Sequence, residues 1–99
     1  MIPYLDAFLD MLVAERGAAK NTRAAYAADI MQAGSFFTRR KKNLADATPD
    51  DITAFLKSIA ALAPKTRARK LSSLKQYYRF LVSENHRKDD PTNKQEEEE

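Results

Sequence analysis

The chain has no cysteine and no tryptophan, and only two glycines and one histidine among its 99 residues. The missing cysteine excludes disulfides and thiolate metal sites, which fits an intracellular setting. Two glycines make no Gly-rich phosphate loop, and His86 has neither a second histidine nor a cysteine near it to build a metal site. No nucleophile and base stand at a recognisable catalytic spacing. Apolar runs stop short of the roughly 18 residues of a membrane span, and no signal-peptide pattern is present. The expectation is a cytoplasmic chain with no cofactor, no metal, no membrane partner and no catalysis of its own.

At this length the chain forms one domain around one modest core. Residues 63–85, APKTRARKLSSLKQYYRFLVSEN, are the longest helical pattern and the most basic. Leu71, Leu74, Tyr78 and Leu81 recur at spacings of three and four, with Tyr77 beside them, as one apolar helix stripe. At about 100° per residue, Lys65, Arg69, Ser72, Ser73, Gln76 and Arg79 project to the other side. Such a helix runs to roughly 30 Å, long enough to cross a major groove.

The net charge of +3 hides a segregation, because residues 64–88 sum to +7 and residues 89–99 to −5. Lys65, Arg67, Arg69, Lys70, Lys75, Arg79, Arg87 and Lys88 face Glu84 as the only acid of their segment. A cationic helix face is either plain solvation or a surface for a polyanion. An ordinary solvated face mixes its signs, so the segregation favours a nucleic-acid partner.

Three helices are expected before this one. Residues 3–16 place Tyr4, Leu5, Phe8, Leu9, Leu12 and Val13 on a stripe, with Asp6, Asp10 and Glu15 facing away, Pro3 in the first turn and Gly17 as the stop. Asn21 or Thr22 is a candidate cap for a second helix carrying Tyr26, Ile30, Ala33 and Phe37 on one face, with Phe36 close by. Its alanines at 24, 25, 27 and 28 suit close helix packing or close approach to base edges. Arg39, Arg40, Lys41 and Lys42 form either a tether to DNA or a cationic helix end, and residues 43–47 read as loop. Thr48, Pro49, Asp50 and Asp51 start a third helix through Ile52, Phe55, Leu56, Ile59 and Leu62. All four tyrosines read as core.

Four stretches carry a resemblance: YLDAFLDMLVAERGAAKNT, NTRAAYAADI, TRARKLSSLKQYYRFLV and ENHRKDDPT. In this order and spacing they resemble the N-terminal core-binding domain of tyrosine recombinases, especially the bacterial Xer type. The resemblance implies an all-α fold, a four-helix orthogonal bundle of the sterile-alpha-motif-like (SAM-like) kind. Residues 1–88 would be the DNA-binding domain, and residues 89–99 the start of an interdomain linker and an acidic, disordered tail. It further implies one half of a clamp on a double-stranded recombination half-site, with the second and fourth helices against the grooves. Carried over by position, Thr22, Arg23, Ala25 and Ala28 would face DNA from the second helix. Lys65, Thr66, Arg69, Lys70 and Ser73 would do so from the fourth, with Arg69 reading bases and Lys65 and Lys70 meeting phosphates. The partners would be related recombinase subunits in a tetrameric synaptic complex of a longer, nucleoid-associated protein. Cleavage through a phosphotyrosine would belong to a catalytic domain absent here. The rival readings are a phage or integron integrase and, from another class, a helical protein-interaction module with an acidic partner.

Overall fold

The computed structural model describes residues 2, 4–17 and 19–93, and among them it contains four α-helices and no strand. The helices are α1 (Leu5–Arg16), α2 (Lys20–Arg39), α3 (Pro49–Ser58) and α4 (Pro64–Ser83). None of them is long and apolar enough to cross a membrane. Pro3 and residues 94–99, on which the first-turn proline and most of the acidic tail were expected, lie outside the described residues.

The expected stripe of α4 is the centre of the core. Leu71, Leu74, Tyr77, Tyr78 and Leu81 are all buried, and Phe8 of α1 meets the Tyr77 ring edge-on at 5.8 Å between centroids. Ile30, Ala33 and Phe37 bury the predicted face of α2. Phe37 in turn sits 6.2 Å from Phe55 of α3. Burial of aromatic side chains of this size supplies the largest share of a small core's stability. The Tyr78 hydroxyl, 34 residues away in sequence, donates to the Leu44 carbonyl at 2.7 Å, so the phenol is buried without an orphaned polar atom.

The helix ends follow local chemistry, with several departures from expectation. Gly17 ends α1 in the left-handed conformation at φ 60°, where a side chain would be strained. α2 starts at Lys20 on an uncapped Ala19, so Asn21 and Thr22 lie inside its first turn rather than before it. The stretch expected as loop contains a short 3₁₀ turn, Leu44–Asp46, with the Asn43 side chain accepting from the Ala45 amide. α3 stops at Ser58 rather than running to Leu62, which is 38% exposed. Tyr4 is not core: it is 46% exposed and stacks on His86 with ring centroids 3.7 Å apart. Gly34, inside α2, accommodates Ile2, whose side chain lies 2.8 Å from where a glycine-replacing Cβ would stand.

Packing does not stop at residue 88. Arg87 donates to the Ala45 carbonyl at 3.0 Å and lies over the Tyr78 ring, and Pro91 and Thr92 are buried beyond it. The chain is therefore tied down through Thr92.

α3 starts on a side-chain cap, which α1, α2 and α4 do not. The Thr48 hydroxyl accepts from the Asp51 amide at 3.2 Å, and the Asp51 carboxylate accepts from the Thr48 amide at 2.9 Å. This reciprocal pair is a capping box at the expected helix start, and Lys42 adds an ion pair to Asp51 from the preceding turn. Replacing Thr48 by Ala removes one half of the box and should cost about 1 kcal/mol. Urea unfolding followed by circular dichroism measures it, and an unchanged midpoint would show that Lys42 and Asp51 hold the turn without the hydroxyl.

Candidate nucleic-acid interface

Two helices that start without a side-chain cap border the basic face. α2 begins after Ala19 and α4 after Ala63, whereas α3 is fully capped. The first-turn amides of α2 and α4 are thus left to solvent or to an anion, at the positive end of each helix dipole. Thr22 and Arg23 lie in the first turn or so of α2, and Lys65 and Thr66 in the first turn of α4.

Between the two helices runs an open groove of about 400 Å³. Thr22, Ala25 and Arg69 line it, so three predicted contact residues from two distant stretches meet there. Asn21, Tyr26, Asp29 and Ser72 complete the lining. Ala25 presents only a methyl group, so a bulky partner can approach the α2 backbone closely at that point.

Asp29 organises this groove. Its side chain is 1% exposed. Arg69 donates from Nε to Oδ2 at 3.1 Å and from Nη2 to Oδ1 at 2.9 Å. Lys70 Nζ donates to Oδ1 at 3.1 Å and the Ser73 hydroxyl to Oδ2 at 2.9 Å. The Ser73 oxygen also lies 3.1 Å from the Arg69 carbonyl, but it has one proton, and the charged carboxylate is the stronger acceptor. Burial pushes the Asp29 carboxyl up, while hydrogen bonds from Arg69, Lys70 and Ser73, with the Lys70 charge, outweigh it and hold the group below its ordinary value of 3.8.

This cluster revises the outward face read from the helical wheel. Ser73 is fully buried against Asp29 instead of facing out, because it lies on the side of α4 that packs on α2. The Lys70 side chain is only 11% exposed and reaches inward to the same carboxylate. Arg69 keeps 54% of its side chain exposed. Lys65 is exposed and Thr66 half-buried, both outside the groove lining, and Ala28 is exposed on α2. Arg23 leans toward α1, 3.8 Å from the Asp10 carboxylate. Of the four cations at the end of α2, Arg40 lies over the Phe36 ring at 4.7 Å and Lys42 pairs with Asp51. Arg39 and Lys41 are exposed.

Asp29 itself was missed by sequence reasoning. The available signal was its position: it falls between Tyr26 and Ala33 at helical spacing, on the core-facing side, where an unpaired acid is not tolerated.

Comparison with known proteins agrees with this architecture. The model of the family described as phage integrase, N-terminal SAM-like domain, matches residues 5–85. The chain is 46% identical over 91 residues to tyrosine recombinase XerD of Rhizobium meliloti, covering 90% of this chain and 29% of that protein. It is 47% identical over 90 residues to XerD of Agrobacterium fabrum, covering 89% and 27%. Tyrosine recombinase XerC of Erythrobacter litoralis is 44% identical over 88 residues, covering 89% and 28%. The chain thus spans under a third of the length of these relatives. No solved structure matches it.

The depressed Asp29 value has a consequence for stability. A carboxyl held below its unfolded value of about 3.9 contributes stability that is fully present above that pH and is lost as pH falls through the folded value. Asp51, where burial raises and the Lys42 and Thr48 hydrogen bonds lower, acts in the same direction. Stability should therefore be flat above about pH 5 and fall steeply below pH 4. Asp29→Asn should cost about 2 kcal/mol at pH 7 and shallow the acid limb. Chemical denaturation across pH 3 to 7 checks both, and an acid limb of undiminished slope in the variant would exclude Asp29 as its source.

Proposed function

The chain belongs to the family of phage integrase N-terminal SAM-like domains, of the kind found in Xer-type tyrosine recombinases, and from that premise we propose that it binds double-stranded DNA at a recombination site. The observation that carries the reading is the groove in which Thr22 and Ala25 of α2 meet Arg69 of α4. α4 has 20 residues and so runs about 30 Å, enough to lie across a major groove while its inner stripe holds the core. Lys65, Arg79 and Lys88 are exposed cations available to phosphates, and the uncapped starts of α2 and α4 add oriented amide donors.

In this reading the domain forms one arm of a clamp on a half-site. The other arm, and the phosphotyrosine chemistry of cleavage and rejoining, belong to the remainder of a longer protein. This chain supplies grip and position, with no cofactor. Relatives named XerD and XerC favour a Xer-type parent acting in chromosome dimer resolution in the cytoplasm over a phage or integron integrase. Its partners would be related recombinase subunits in a tetrameric synaptic complex.

Binding through about four phosphates should weaken about a hundredfold between 50 and 200 mM salt. Fluorescence anisotropy on a Xer-type half-site duplex and a scrambled duplex measures this. Absence of binding to either duplex at 50 mM salt would refute the DNA reading for this chain and favour a protein-interaction module.

A further inference from the structure

We propose that Asp29 is a positioning residue that aims Arg69 at guanine. The inference rests on the reading that the α2–α4 groove faces DNA. A guanidinium has five N–H donors arranged in a planar fork. Asp29 takes Nε–H and one proton of Nη2, which is the side-on edge of the plane. The end-on edge, formed by Nη1 and the second Nη2 proton, is left without a partner among the described residues. That edge is the one that matches the O6 and N7 acceptors of guanine in the major groove. The side chain is 54% exposed while its anchor is 1% exposed, so the plane is held from below and open above.

The anchor is itself held. Lys70 and Ser73 occupy the remaining faces of the two carboxylate oxygens, which keeps Asp29 from turning toward solvent. An unrestrained arginine loses much rotamer freedom when it docks, and a restrained one loses less. Charge alone predicts the opposite role for Asp29, because a carboxylate beside a polyanion repels it. The two accounts therefore differ in sign for Asp29→Asn. Simple electrostatics predicts tighter DNA binding everywhere, and positioning predicts a lost preference at one base.

The test is selection from a pool of duplexes with a randomised central window, using the 99-residue chain, Asp29→Asn, Arg69→Lys and the double variant. The wild-type chain should enrich guanine at one position by roughly 5- to 150-fold. Asp29→Asn should lose that enrichment with non-specific affinity unchanged or raised, and Arg69→Lys, which keeps the charge without the fork, should lose it too. The double variant should match Arg69→Lys, and the result that a merely structural carboxylate would not produce is lost guanine preference with non-specific affinity unchanged or raised in folded Asp29→Asn. Thermal melts establish which variants are folded at the binding temperature. If Asp29→Asn is not, Ser73→Ala, which loosens the carboxylate and keeps its charge, should reduce the enrichment, and an unchanged enrichment overturns the proposal. Guanine preference retained in folded Asp29→Asn, or absent from a wild-type chain that binds duplex, overturns the inference alone. A wild-type chain that retains no duplex at about 50 mM salt overturns the DNA reading and the inference together.

Discussion

Asp29 sits where α2 packs on α4, and a carboxylate with 1% of its side chain exposed is tolerable only while its charge is matched and its lone pairs are filled. Arg69, Lys70 and Ser73 do both from successive turns of α4. The consequence is geometric. Apolar contacts between two helices tolerate some sliding along the axes, whereas four hydrogen bonds to two oxygens specify one register. The groove that α2 and α4 form, and with it the placement of Thr22 and Ala25 relative to Arg69, follows from that register.

α4 carries two tasks on opposite sides of one cylinder. Its inner stripe, from Leu71 to Leu81, packs against Phe8 of α1 and brings Tyr78 to the Leu44 carbonyl. Its outer side keeps Lys65 and Arg79 in solvent. Between the two sides lies the Asp29 cluster, where Lys70, expected from the resemblance to meet a phosphate, is drawn into a structural contact. Beyond the end of α4, Arg87 is held in the same way, bridging the Ala45 carbonyl, the Tyr78 ring and Asp89. The effective cationic face is therefore smaller than the residue count of 64–88 suggests, and Asp29 offsets part of what remains.

The sequence by itself determined the number of helices, most of the stripe positions that face the core, with Val13 an exception at 47% exposed, the Gly17 stop and the helix start at Thr48 to Asp51, because these depend on local periodicity and on hydrogen bonds spanning three or four residues. It also carried enough family pattern to identify the domain, since residues 5–85 match as a unit. Tertiary structure alone decided which polar residues of α4 are outward. Ser73 and Lys70 turn inward because a carboxylate more than 40 residues away in sequence is brought against them, and no local rule carries that information. The same holds for Tyr4, which leaves the core to stack on His86, and for Pro91 and Thr92, which are buried beyond the last helix. Periodicity reports which face of a helix is apolar; only the packed chain reports which buried charge a polar neighbour must satisfy, because that electrostatic demand arises when the two helices meet.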